Sequence, residues 1–262
     1  MTVIRVNSEA IDVIEQGSGK PLLLLHSLLA DRSVFDQVVP VFARNRRVIV
    51  PDLPGFGGSS SAGTSLVAIA DRLAGIFTAL NLGTETDVLG NGLGGFIASM
   101  LAIRHGDKFD KLVLAGTGMG FTEQGRNAFL KMAELARKEG MESVVDIAMK
   151  RLFPDNFIAE NPNILMNRRA RFLKTRPTLF AEACEALAKL DLSDLVSRIV
   201  NPTLIVVGEC DAATPPTMAH ELVAAIKGSK LIELPGIGHA PMAQAPDDFV
   251  NAVANFLGLQ KH

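Results

Sequence analysis

Tryptophan and tyrosine are both absent from the 262-residue chain. A ligand pocket must therefore be walled by Phe, Met, Leu and Ile, with no phenol to donate a hydrogen bond. Cysteine is scarce: Cys184 and Cys210 stand far apart, which speaks against a disulfide framework and for a reducing cytosol. No apolar run reaches the length of a membrane-spanning helix. The segment Met1-Thr2-Val3-Ile4-Arg5 has no basic region leading into an apolar stretch, so a cytoplasmic location is expected. An excess of one charge is missing too. Lys and Arg number 26 against 28 Asp and Glu, and nothing global points to nucleic acid or an anionic membrane surface. Internal repeats and low-complexity segments are lacking.

What is present is a regular alternation of strand and helix patterns. Val3 to Val6 and Ile11 to Gln16 alternate apolar and polar residues around Asn7-Ser8-Glu9, the pattern of an antiparallel hairpin. Leu22-Leu23-Leu24-Leu25 and Val48-Ile49-Val50 are continuous apolar runs, as expected of strands buried on both faces of a parallel sheet. A helix is expected between them, from the His26–Asp31 loop to about Phe42. Leu66, Ile69, Leu73, Ile76, Phe77 and Leu80 keep helical spacing, and Leu112-Val113-Leu114 reads as a further strand. From about Phe121 to Leu190 only helical patterns occur, broken at Gly140, Pro154, Pro162 and Pro177 and giving roughly four helices. Alternation then resumes with Pro202–Gly208, Pro216–Ile226, Leu231–Leu234 and Pro246–Leu259. The fold class expected is α/β, a mostly parallel sheet with helices on both faces. Residues 1–120 and 191–262 form the core, and residues 121–190 a helical cap insertion.

The chain pivots on Asp87-Val88-Leu89-Gly90-Asn91-Gly92-Leu93-Gly94-Gly95-Phe96-Ile97. A short strand enters a glycine-dense turn and a helix leaves it at once. This is the shape of the nucleophile elbow, G-x-S-x-G, whose central residue sits on a sharp strand-to-helix turn. Here the centre is Gly92, where the motif calls for serine.

Four motifs fall in one order. His26-Ser27-Leu28 follows the third strand, and Asp52-Leu53-Pro54-Gly55-Phe56-Gly57-Gly58-Ser59 the fourth. The elbow comes next, then the pair Gly208-Glu209-Cys210-Asp211 and Gly238-His239-Ala240-Pro241-Met242. Over essentially its full length the chain resembles α/β-hydrolase-fold proteins with a helical cap, whose triad runs nucleophile, acid, histidine. The loop at His26-Ser27-Leu28, with Asp31 and Phe35-Asp36, is similar to the oxyanion loop of 3-oxoadipate enol-lactonases. Pro-Gly-Phe-Gly is shared with carbon–carbon bond hydrolases of aromatic-ring degradation. Both groups handle small acidic products of ring catabolism. The resemblance implies a hydrolase of small esters, lactones or diketones, acting without a metal or cofactor on a small, carboxylate-bearing molecule.

On this resemblance the expected catalytic positions are Gly92 at the nucleophile site, Asp211 and His239. His239 would be the general base, and Asp211 would hold its tautomer and steady its charge. Asp52 is a rival acid but suits a turn brace better. Oxyanion donors would be backbone N–H groups of Leu93 and of Ser27 or Leu28, which survive loss of the serine side chain. His26, Met119, Arg168 and Met242 are expected at the substrate, Arg168 as a bidentate clamp for a carboxylate. Met132, Met149, Met166 and Phe129 line or pack the cap, and Cys210 reads as a strand-end residue. Ser27 is a substitute nucleophile or, more naturally, a helper hydroxyl. Three readings of Gly92 stand open. It replaces a serine by design, or His239 and Asp211 act directly on water or a substrate proton, or the fold has been retired to ligand binding.

Overall fold

The computed structural model describes residues 2–259. Eight strands form one sheet: β1 (Thr2–Val6), β2 (Glu9–Gln16), β3 (Lys20–Leu25), β4 (Arg46–Pro51), β5 (Asp87–Asn91), β6 (Leu112–Ala115), β7 (Thr203–Gly208) and β8 (Lys230–Leu234). Their order across the sheet is β1-β2-β4-β3-β5-β6-β7-β8. The β1–β2 and β2–β4 pairs are antiparallel and the rest parallel. The burial patterns explain this division. β5, β6 and β7 are buried at every position, which only cover on both faces can achieve, whereas β2 alternates like a strand with one wet face.

Strand order reverses between β3 and β5. Loops leaving the carboxyl ends of two such neighbours turn apart and open a crevice, the usual ligand site of open α/β sheets. The loops at His26 and Gly92 leave from these two strands.

The helices are α1 (Val39–Phe42), α2 (Leu66–Ala79), α3 (Leu93–His105), α4 (Glu123–Glu139), α5 (Val145–Leu152), α6 (Asp155–Glu160), α7 (Pro162–Phe172), α8 (Pro177–Ala188), α9 (Pro216–Ala225), α10 (Pro241–Gln244) and α11 (Pro246–Leu257). The segment before Phe42 departs from expectation. It is a 3₁₀ turn, Arg32–Phe35, and the single-turn α1. Pro40 has no N–H and can sit only in the first turn of α1, so a helix cannot run through it from Asp36. Between β6 and β7 lie five helices rather than four, α4 to α8, and each sequence breaker stands at a boundary. Gly140 caps α4, Pro154 precedes α6, and Pro162 and Pro177 open α7 and α8. Among the described residues no helix is long and apolar enough to cross a membrane.

At the amino ends of β3, β4 and β5, opposite the crevice, a buried ion pair ties the sheet together. Arg46 pairs with Asp87, and their side chains are 4% and 0% exposed. Arg46 also donates to the carbonyls of Lys20 (2.9 Å), Pro21 (3.2 Å) and Leu257 (2.7 Å). Asp87 accepts the Lys111 N–H at 3.2 Å and meets Lys20 Nζ at 3.0 Å. Removing one member of such a pair strands the other's charge. Asp87→Ala is therefore expected to cost about 3–5 kcal/mol of stability, read as a lowered denaturant midpoint.

Candidate active site

The elbow stands where glycine alone fits. A Cβ on Gly90 would lie 2.2 Å from the Gly94 carbonyl oxygen, and one on Gly94 would lie 2.1 Å from that of Leu25. Gly92 itself has φ 55° and ψ −118°, a conformation that costs glycine little. The turn is pinned by backbone bonds: Gly92 N–H donates to the Ala115 carbonyl and Gly94 N–H to that of His26, both at 3.0 Å. Asn91 Nδ2 donates to the carbonyls of Ala115 (3.2 Å) and His239 (2.9 Å), joining the elbow to the histidine loop.

His239 follows β8 and is 3% exposed. Its N–H donates to the Leu152 carbonyl at 3.0 Å, so the end of α5 fixes its backbone. Its Nδ1 lies 2.9 Å from Asp211 Oδ2. Asp211 also accepts the N–H groups of Ala213 and Thr214, each at 2.8 Å, and the Thr214 hydroxyl at 2.9 Å. Because the carboxylate accepts, Nδ1 carries the proton and Nε2 is left as an acceptor. Nε2 lies 3.1 Å from Ser27 Oγ, so the serine hydroxyl donates to it. Gly116, just after β6, backs the pair closely. A Cβ there would come within 2.9 Å of Asp211 Oδ2 and 3.0 Å of His239 Nδ1.

Ser27, Leu28, Gly92, Leu93, Thr214 and His239 line a small cavity of about 20 Å³. Phe96, Phe121, Phe129 and Leu187 give it apolar walls, as a chain without tyrosine or tryptophan requires. The N–H groups of Ser27, Leu28 and Leu93 donate to no acceptor among the described residues. For Leu93 the reason is its place in the first turn of α3, whose N–H groups have no helical partner.

One charged side chain enters the cavity, Arg151 on α5. Its guanidinium lies 5.7 Å from the centre of the Phe129 ring and has no ion-pair partner among the described residues. Burial pushes its pKa below the ordinary guanidinium value. Arg151, Phe121 and Phe129 also line a larger groove that leads outward past Met119 and Arg126. The sequence offered one signal for Arg151. It stands seven residues after Val144 and three after Ala148, on the buried stripe of α5, and a charge on an apolar stripe is unusual. Thr214 gave no signal beyond its nearness to Asp211.

The remaining expected residues lie elsewhere. Arg168 is in a separate groove, donating to Ser33 Oγ at 3.1 Å, and does not line the cavity. Its position on α7, rather than α5, faces it toward the Arg32–Asp36 segment. Met119 lines only the outer groove, and Met242 is fully buried on α10. His26 is fully buried behind the loop. It accepts the Leu53 N–H on Nε2 at 3.0 Å, which leaves Nδ1 to donate to the Ser27 carbonyl at 2.9 Å. Its ring packs edge-on against Phe56. Asp52 sits in the β4 turn, where its carboxylate takes the Gly58 N–H at 3.4 Å and faces Arg32 at 3.4 Å.

The comparisons with known proteins agree with this fold. The profile of the Alpha/beta hydrolase family matches residues 22–252. A pimeloyl-[acyl-carrier protein] methyl ester esterase of Aeromonas hydrophila is 28% identical, over 95% of this chain and all of that protein. A 3-oxoadipate enol-lactonase of Acinetobacter baylyi is 26% identical, over 91% of this chain and 88% of its own. Among solved structures, the enol-lactonase of Burkholderia xenovorans superposes with a TM-score of 0.92 at 25% identity, covering 98% of this chain and 100% of that one. A thermophilic esterase of Thermogutta terrifontis, solved with malate bound, gives 0.89 at 28% identity, covering 95% and 93%.

Burial holds the pKa of His26 below the ordinary histidine value. The unfolded chain takes up a proton near pH 6.5 that the folded chain refuses, so stability is lost as pH falls below about 6.5, at up to about 1.4 kcal/mol per pH unit. Burial raises the Asp52 carboxyl, which works in the opposite sense at lower pH. His26→Gln removes the first effect. Denaturant midpoints at pH 7.5 and 5.5 are expected to differ more for the unaltered protein than for this variant.

Proposed function

The chain belongs to the alpha/beta hydrolase family, and from that premise we propose that it hydrolyses a small carboxylic ester or lactone bearing an anionic group. Residues 121–190 act as a cap over a core made of residues 1–120 and 191–262, and the reaction takes place between them. His239 is the general base, and Asp211 and Thr214 orient it. Leu28 and Leu93 offer their N–H groups to the carbonyl oxygen as it gains charge.

One observation carries the reading. The Nε2 of a buried, carboxylate-paired histidine, which carries the Ser27 hydroxyl, lies with backbone donors that have no acceptor among the described residues, in one apolar-walled cavity. A base and preformed oxyanion donors are what acyl transfer needs. Each such donor is worth about 2.7–4 kcal/mol of barrier where water is excluded. As His239 withdraws a proton from an attacking hydroxyl, its ring becomes cationic and the Asp211 carboxylate steadies it. The leaving alkoxide then takes that proton back.

Ester or lactone cleavage is favoured over carbon–carbon cleavage because the curated relatives are named for a methyl ester and an enol-lactone. The anionic group is argued from Arg151. A guanidinium with no carboxylate partner among the described residues, held at an apolar cavity, is suited to bidentate capture of a substrate carboxylate. A lactone acid from ring degradation is one molecule of this class.

A panel of p-nitrophenyl esters and small lactones, with and without a carboxylate, tests the proposal. Turnover is expected, and His239→Ala should lower kcat/KM by about 10²–10⁴-fold. Saturable binding across the panel without turnover would instead mark a ligand-binding protein. Arg151→Met is expected to raise KM for carboxylate-bearing substrates by about 10–100-fold, the loss of one charge-assisted hydrogen-bonded contact, while leaving neutral esters unchanged.

A further inference from the structure

Position 92 has no side chain, yet the Ser27 hydroxyl lies against the place a Cβ would take there. A Cβ on Gly92 would stand 2.4 Å from Ser27 Oγ and 2.6 Å from His239 Nε2. The oxygen beside the catalytic nitrogen therefore comes from the neighbouring loop. We propose that Ser27 is the nucleophile and that the two loops have exchanged roles, an inference that rests on the hydrolase reading above.

Each part of a serine triad is then present. Ser27 Oγ donates to Nε2 at 3.1 Å, and Nδ1 is held by Asp211 at 2.9 Å. That serine–base–carboxylate chain is what activates a hydroxyl that is otherwise a weak nucleophile. Ser27 is 1% exposed and lines the cavity, so its hydroxyl faces substrate and not bulk water. The residue after the nucleophile normally lends its N–H to the oxyanion hole. Here that residue is Leu28, whose N–H is unpartnered, and Leu93 at the positive end of α3 supplies the second donor from the elbow side. His26 locks the loop from behind through the Ser27 carbonyl at 2.9 Å.

In the acylation step, Ser27 Oγ bonds to the substrate carbonyl carbon as Nε2 takes its proton. The carbonyl π pair moves to oxygen, between Leu28 and Leu93. The pair returns, the C–O bond to the leaving group breaks, and the alkoxide takes the proton from Nε2. The product is an ester of Ser27, and in a lactone the alcohol stays attached to the acyl group. Water, deprotonated by Nε2, then attacks that ester. Collapse returns the proton from Nε2 to Ser27 Oγ and frees the acid.

The test uses the unaltered protein first, with diethyl p-nitrophenyl phosphate as the probe and peptide mass mapping as the readout. Stoichiometric phosphorylation of Ser27, with loss of p-nitrophenyl ester turnover, is expected. Ser27→Ala should take no label and lose turnover by about 10³-fold or more, while keeping its circular dichroism. Gly92→Ser should be slower than the unaltered protein, because its side chain displaces Ser27 and crowds His239. Turnover that needs His239 yet persists in Ser27→Ala, with no label on Ser27, overturns the nucleophile assignment and leaves the hydrolase reading standing. A gain of about tenfold or more in Gly92→Ser overturns it as well. Absence of both turnover and label in the unaltered protein sinks the hydrolase reading with it.

Discussion

The site depends on how closely the loop after β3 can lie against the elbow. Gly94 has no Cβ, so the Leu25 carbonyl oxygen packs directly on the first turn of α3, and the Gly94 N–H reaches the His26 carbonyl at 3.0 Å. That contact brings Ser27 over Gly92 and within reach of His239. A methyl group at 94 would collide with backbone, which cannot rotate away, and would force the two loops apart. Every distance discussed for the cavity, from the serine–histidine bond to the placement of Leu28 and Leu93, follows from this approach of two backbones.

Polar groups sit at both ends of the sheet, and they do different work. At the amino ends, Arg46 and Asp87 are buried together and satisfied on nearly every side by carbonyls, Lys20 and an amide. Such a cluster holds strands in register and has no free valence for a ligand. At the carboxyl ends the accounting is left open. Among the described residues His239 Nε2 has one hydroxyl, the Ser27, Leu28 and Leu93 amides have no acceptor, and Arg151 has no carboxylate. Polar groups without partners are costly in an apolar setting, and a ligand that supplies those partners lowers the cost. The same low dielectric strengthens each of these contacts once made.

Much of this was legible in the residues. Apolar runs at Leu22–Leu25 and Val48–Val50, the glycine-dense turn at 90–94, and the order of Gly92, Asp211 and His239 identify an α/β-hydrolase fold without coordinates. Breakers at Gly140, Pro154, Pro162 and Pro177 mark true helix boundaries because each acts through its own backbone. The differences have two causes. Pro40, read as part of a longer helix, is a local effect overlooked, but Arg151 and Arg168 differ only in tertiary placement. Both are arginines on amphipathic segments, and nothing in spacing alone says which segment folds over the crevice. Thr214 and the Ser27–His239 contact likewise join residues that no short-range pattern connects.

Gly92 and Ser27 have to be understood as one feature. Read alone, the glycine is a missing hydroxyl, and the serine is a polar residue on a loop that usually supplies only amides. Together they are complementary in volume: the position without a Cβ is the one against which the Ser27 oxygen lies, at 2.4 Å from where that carbon would be. The Ser27 hydroxyl lies beside His239 Nε2, and the Thr214 hydroxyl lies on the Nδ1 side. Transferring the oxygen from one loop to the other keeps Nε2 at the apex, keeps Leu28 and Leu93 on either side, and changes only which backbone carries the acyl group.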